Sequence, residues 1–415
     1  MLHATDIRRD LSNLRWLVAC AVLSACQNAD APPPVAPGAG DGANLRIEQV
    51  VFTQVVQNDA RSIPLIAGAH AAAKVLITRS KESVSEVPVV LRLFRGGALV
   101  HTDTTRTGGV LSRSWSLASS SAQFLIPPAL VAADVTWQVE IDPAHTVPDS
   151  TRTDNRLPVA GSDSLRTVDV LPLRVRLIPV VLARHDNLTG DVSIANAEAY
   201  LRVTRQIFPI RELHVSIGAP VTTAVSFGTP PDGGGDRAFW ETVLADIEQS
   251  RIASGSVDEY WYGVVPIPPG YGAIRFGGMA YLGVVSGTSL IPSYASVGTD
   301  IRGVDPAYAS LTLAHELGHN FGRSHAPGCN PEAPVDAAFP NGNGSITATG
   351  HDVWSWATGG AIGAPTVGTE TADIMSYCAP PKWISAYNYS AVLQWRIGTG
   401  VAARSARAVE HPAVP

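Results

Sequence analysis

The run His315-Glu316-Leu317-Gly318-His319-Asn320-Phe321-Gly322-Arg323-Ser324-His325 constrains this chain more than any other stretch. Residues four apart share one face of a helix, so His315 and His319 project side by side. Upstream, Asp305-Pro306 supplies a capping carboxylate and then the proline favoured at the first helical position, which places the helix start. Gly322 suits the left-handed backbone that ends a helix and reverses the chain. That reversal brings His325 back toward the first two imidazoles. In a chain of 415 residues with 11 His and 37 Gly, such a match arises by composition with a probability on the order of 10⁻⁵, so coincidence is set aside.

Three imidazole nitrogens leave the fourth tetrahedral position of a Zn²⁺ ion open, the arrangement of a catalytic rather than a structural site. His315, His319 and His325 are therefore the expected ligands of one zinc ion. Glu316 is expected beside them as the general base, close to the metal's water without being a ligand.

Composition limits the rest. The chain is 45% hydrophobic and only 16% charged, with 37 Gly and 31 Pro, which indicates a globular, turn-rich protein of two or three domains and excludes a disordered or collagen-like one. A net charge of −6 without a long basic run argues against nucleic acid as a partner. No apolar stretch reaches the roughly 18 residues of a membrane span.

Residues 1–26 have the shape of a secretory leader, with Arg8, Arg9 and Arg15 ahead of the apolar Trp16–Leu23. Leu23-Ser24-Ala25-Cys26 resembles a bacterial lipobox, which implies a lipidated Cys26 as first residue of the mature chain. With Gln27 next, the lipobox implies the outer membrane or cell surface of a bacterium. A plain cleaved leader with an incidental cysteine is the competing reading. Residues 27–44, rich in Ala, Pro and Gly, read as a flexible linker. Export would place the chain where disulfides persist.

Residues 45–160 show strand signals and no helical period. Val135, Trp137, Val139 and Ile141 alternate with polar neighbours, and Val87–Arg95 closes on Gly96-Gly97. About seven short strands in ~110 residues fit an immunoglobulin-like sandwich, read as a spacer in preference to a substrate-binding module. His70, His101 and His145 are isolated there and read as core or surface residues. Residues 165–400 alternate strand and helix. Strands are expected around Leu173–Leu177, Glu212–Ile217 and Glu259–Val265, and helices at Ala197–Phe208 and after a capping Asp236. Residues 401–415 read as a tail. The fold class is thus an α+β or α/β domain preceded by an all-β sandwich.

Residues 315–325 resemble the long zinc-binding motif of metzincin metallopeptidases, and Asp373-Ile374-Met375-Ser376-Tyr377-Cys378 resembles their Met-turn. The stretch through Pro380, Trp383 and Tyr389 is similar to exported bacterial zinc metallopeptidases, including relatives of mucin-cleaving enzymes. Ala326 departs from serralysins, and the third histidine lacks the acidic neighbour of astacins and adamalysins. The resemblance implies Met375 as a packing residue beneath the metal and Tyr377 as a group that ligates zinc or assists the transition state. It implies an exported endopeptidase acting on proteins or glycoproteins. The rival readings are a non-catalytic adhesin-type lipoprotein, against which an intact Glu316 counts, and a zinc amidohydrolase acting on cell wall, against which the Met-turn counts. Gly277–Gly283 is expected to be the edge strand that pairs with an extended substrate.

With Cys20 in the leader and Cys26 assigned to lipid, Cys329 and Cys378 remain for the folded domain. Both follow turns that converge on the metal, so a Cys329–Cys378 disulfide is expected, worth about 4 kcal/mol for a loop of roughly 50 residues. Two additional metal ligands are the alternative. His351-Asp352 with Trp354 and Trp356 reads either as a substrate subsite or as a packed aromatic loop. Asp232–Asp236 and Asn341–Ser345 could bind Ca²⁺, but each lacks the ligand spacing of a known loop, so solvated turns are favoured. Asp336 and His185 have no assigned partner.

Overall fold

The computed structural model describes residues 2–6, 43–80, 84, 86–107, 122–228, 237–270, 276–286, 289–302, 304–329, 335–359 and 363–410. Cys26, linker residues 27–42 and the Asp232–Asp236 stretch lie outside them. No helix among the described residues is long and apolar enough to cross a membrane.

The first domain is a β-sandwich. Strands Leu45–Thr53, Ala71–Arg79 and Ala122–Ile126 form one antiparallel sheet. The other joins Asp163–Ser164, Val135–Ile141, Pro88–Arg95 and Ala98–Arg106 in that order, with Arg156–Leu157 also on Val135–Ile141. Side chains alternate across each strand, so Ala73, Val75 and Ile77 of the first sheet meet Val89, Leu91 and Val139 of the second in one core. The domain extends past residue 160, where the sequence reading ended it. Leu165 fills the sandwich core, and Thr167–Val168 pairs in parallel with Leu65–Ile66.

In the second domain, strands Phe276–Tyr281, Ala295–Thr299, Tyr260–Val265 and Leu173–Leu182 lie side by side, with Leu213–Ile217 also on Leu173–Leu182. All these pairs are parallel except that of Phe276–Tyr281 with Ala295–Thr299. Parallel neighbours require crossovers, and the helices α1 (Ala197–Ile207) and α2 (Arg237–Ala253) lie on those that lead to Leu213–Ile217 and Tyr260–Val265. The period of two along Leu173–Leu182 splits the layers. Leu173, Val175 and Leu177 face α1 and α3 (Pro306–Asn320), while Ile178, Val180 and Leu182 face α2. Leu2–Asp6, inside the expected leader, lies antiparallel against Phe276–Tyr281. The C-terminal helix α4 runs Ala386–Glu410, so residues assigned to a tail continue a helix.

The sandwich is not a loose spacer. Strand Ala71–Arg79 is buried along its whole length because both of its faces are covered. Its odd residues enter the sandwich core, while Ala72 packs with Val353 and Ala364 of the second domain. Val55, Val56, Ile63 and Ile66 join the second domain's own core. Backbone crosses the boundary too: His351 N donates to Val55 O at 2.7 Å, and Trp383 Nε1 donates to the same carbonyl at 3.2 Å. At the centre, Lys74 is fully buried with Nζ 3.1 Å from His351 Nδ1.

Burial lowers Lys74 to about 8, and burial together with the Lys74 charge lowers His351 to about 3. A histidine held neutral below its ordinary 6.5 stabilises the fold fully above that pH, and the contribution is lost as pH falls toward 3. Between pH 6.5 and 5 the loss would be about 2 kcal/mol. Chemical unfolding across that window should therefore show a steep fall for the wild type and a shallower one for His351→Gln. Parallel curves would contradict this role.

Candidate metal centre

Helix α3 presents the first two imidazoles. Asp305 caps it, its Oδ1 accepting from Ala307 N at 2.7 Å, and Pro306 opens the first turn. From Thr312 to Asn320 every residue is buried, because α3 is covered by α1, by the sheet and by the Met-turn segment. Gly322 closes the helix at φ 78°, with Gly322 N donating to His319 O and Arg323 N to Gly318 O. The chain turns back there, and His325 joins the pair.

One ligand atom from each of the three histidines lies within 4.8 Å of the others, and all three side chains are buried. His319 Nε2 and His325 Nε2 are 3.1 Å apart. Two nitrogens on one tetrahedral Zn²⁺ would be separated by about 3.3 Å, so the spacing fits a shared ion. His315 Nδ1 donates to Ile374 O at 2.8 Å, and His319 Nδ1 donates to Arg323 O at 2.6 Å. A carbonyl only accepts, so these contacts place the proton on Nδ1 and leave the Nε2 lone pair for a metal. The donor set can hold one divalent ion. Imidazole nitrogen alone suits several metals, Zn²⁺ among them.

Beneath the histidines lies the Ile374-Met375-Ser376 turn. Asp373 organises it. Its Oδ1 accepts from Met375 N and Asn388 Nδ2, each at 2.7 Å, and its Oδ2 accepts from Ser385 N at 2.8 Å. Burial pushes the Asp373 carboxyl above its ordinary value, and these hydrogen bonds oppose that shift. Met375 lies against α3 so closely that a Cβ on Gly318 would sit 2.4 Å from its Sδ. Ala326 N donates to Met375 O at 3.0 Å, joining the turn to the segment that carries His325.

Tyr377 stands with its ring centroid 4.6 Å from that of His325 and 6.4 Å from that of His315. Glu316 is fully buried beside the histidines. The strand Phe276–Tyr281 passes directly over it: a Cβ on Gly278 would lie 2.8 Å from Glu316 Oε1. Cys329 and Cys378 are bonded, with Cα atoms 5.1 Å apart, so neither is a metal ligand.

Several supporting groups escaped the sequence reading. Arg323 donates to Asp336 Oδ2 at 2.8 Å and to Asn388 Oδ1 at 2.7 Å, and its guanidinium stacks 5.0 Å from the Tyr387 ring. Asn388 in turn holds Asp373, so the residue whose carbonyl orients His319 is tied to the Met-turn. Asp336 thus gains the partners it lacked, with Tyr387 Oη also donating to it at 2.9 Å. Lys382 donates from Nζ to Ser376 O at 2.5 Å. Burial lowers its ammonium to about 8, while Asp373 and Glu316 pull it upward. The one signal available beforehand was Asp373 directly ahead of the Met-turn.

Other sequence candidates lie elsewhere. His351 belongs to the domain contact, while Asp352 bonds within the second domain, its Oδ2 accepting from Gln206 Nε2 of α1 at 2.8 Å. Trp354 lines a cavity of about 210 Å³ between the domains, together with His70, Arg205 and Arg211 and none of the three metal-site histidines. Asn341–Ser345 satisfies itself, Asn341 Oδ1 accepting from Gly344 N at 2.8 Å. His185 Nε2 accepts from Phe227 N at 3.2 Å.

No protein-family model and no curated protein matches the chain. Among solved structures, a CARDB domain from Pyrococcus furiosus in complex with di-metal ions is 14% identical, with a TM-score of 0.19 over 31% of this chain and 90% of that one. A Paenibacillus cycloisomaltooligosaccharide glucanotransferase complexed with cycloisomaltoheptaose is 12% identical, with a TM-score of 0.18 over 54% of this chain and 28% of that one. At these TM-scores neither likeness carries an argument about this chain.

The contact between α3 and the Met-turn is open to direct test. Gly318→Ala should destabilise the fold by roughly 1–3 kcal/mol through overpacking and weaken metal binding, because the added methyl meets Met375 Sδ. Gly342→Ala, where no neighbour lies within 4 Å, serves as the control and should change neither. Thermal unfolding and metal titration of the two variants decide it; equal behaviour would disprove the contact.

Proposed function

We propose that this chain is a zinc-dependent endopeptidase of the metzincin type, exported and held at a bacterial surface by a lipid on Cys26. The observation that carries the reading is the convergence of three buried imidazoles, one nitrogen of each within 4.8 Å of the others, with the Glu316 carboxylate buried alongside. The Cys329–Cys378 bond supports an oxidising compartment.

His315, His319 and His325 would hold the ion. Zn²⁺ bound there would supply Lewis acidity toward a peptide carbonyl and lower the pKa of water toward about 7. Glu316 takes the proton of the attacking water and delivers it to the leaving amide nitrogen. Its burial keeps competing water away and strengthens its electrostatic reach. Tyr377, beside His325, directs its phenol at the oxygen on which charge develops. Gly278 leaves room over Glu316, so the strand Phe276–Tyr281 is the expected rail for an extended substrate. Leu2–Asp6 occupies the outer edge of that strand in antiparallel pairing, and cleavage of the expected leader ahead of Cys26 would free that edge for substrate. The substrate is expected to be a protein or glycoprotein.

The purified chain should bind about one Zn²⁺ and cleave casein or mucin in a chelator-sensitive way. Glu316→Ala should retain the metal and the fold and lose at least about 10²–10⁴-fold in kcat, since only the base is removed. Near-normal turnover by that variant would refute the mechanism. Activity on peptidoglycan alone would favour a zinc amidohydrolase, and metal binding without any hydrolysis would favour an adhesin.

A further inference from the structure

The Lys382 side chain ends on the peptide that leads into Tyr377. Nζ donates to the carbonyl oxygen of Ser376 at 2.5 Å. The base of the side chain is fixed from two directions. Lys382–Trp383 runs parallel to Ala372–Asp373, the strand that begins the Met-turn. Next to it, Trp383 is buried and bonded through Nε1 to Val55 O of the sandwich. On the far side of Tyr377, Cys378 N donates to Ser376 Oγ at 3.1 Å, and its sulfur is bonded to Cys329. Tyr377 is therefore held between an ammonium clamp before it and a covalent tie after it, with its ring against His325. A charged donor on a carbonyl is stronger and more directional than a neutral one, which suits a group that must fix a turn.

We propose that Lys382 is a positioning residue, whose ammonium clamps the Ser376–Tyr377 peptide and so aims the Tyr377 phenol at the metal centre. The kinetic consequence rests on the peptidase reading; the clamp itself does not. A merely structural lysine would alter stability or metal content, whereas a clamp acting through Tyr377 alters turnover only while the phenol is present.

The experiment compares Lys382→Met and Lys382→Arg in the wild-type and Tyr377→Phe backgrounds of the zinc-loaded full chain. Lys382→Met should lower kcat about tenfold with KM within about twofold and unchanged zinc stoichiometry, and Lys382→Arg should recover most of the loss. In the Tyr377→Phe background the same Lys382→Met change should cost less than about twofold, because the two residues act as one unit. Hydrogen exchange provides a readout free of any activity. Amides 376–378 should exchange about tenfold faster in Lys382→Met and not in Lys382→Arg, with α3 unchanged in both. If Lys382→Met does not fold, Lys382→Gln is read the same way. A full tenfold loss persisting without the phenol, or unaltered exchange at 376–378, overturns the clamp. Absence of turnover in the wild type overturns the peptidase reading instead, and exchange alone then decides the clamp.

Discussion

The three-histidine candidate metal site depends on a steric requirement. The Met-turn must approach α3 so closely that residue 318 has no room for a side chain. Only with glycine there does Met375 seat beneath the histidines and Ile374 O reach His315 Nδ1. The same turn projects Tyr377 toward His325 and sends Met375 O to Ala326 N. Each of those contacts fixes one side of the site, and each would be lost if the turn stood an ångström farther off. Asp373, buried and fully hydrogen-bonded to Met375, Ser385 and Asn388, holds the turn at that distance.

The support continues outward without a break. Asn388 on α4 links Asp373 to Arg323, whose carbonyl orients His319. Trp383 and His351 tie the segments flanking the Met-turn to Val55 of the sandwich. The sandwich is therefore a third layer behind the metal site rather than a module on a string. Its strand Ala71–Arg79 uses one face for its own core and the other for the second domain. Lys74, buried at that junction against a neutral His351, carries an energetic penalty and a pH dependence that two apolar residues would not.

Much of this was legible in the sequence for a simple reason. Ligand geometry on a helix is local, so His315, His319 and the reversal at Gly322 follow from spacing alone. The alternation of Val135, Trp137, Val139 and Ile141 likewise announces a half-buried strand. What stayed hidden is what depends on non-local packing. Lys74 and Lys382 look like ordinary solvated lysines until another segment covers them. His351 and Trp354 read equally as a subsite or a packed loop because what covers them, the sandwich, lies some 300 residues earlier in the chain. The end of the sandwich was misplaced because Leu165 and Thr167–Val168 pair with strands far upstream, a contact with no local signature.

The claim on which the account stands is that His315, His319 and His325, and no other side chains, hold a single metal ion. X-ray absorption at the zinc edge of the loaded protein measures that directly. The account predicts a four-coordinate site with nitrogen or oxygen at about 2.0–2.1 Å, outer-shell scattering from three imidazoles, and no sulfur. A sulfur shell near about 2.3 Å, or a six-coordinate oxygen environment without imidazole scattering, would contradict it.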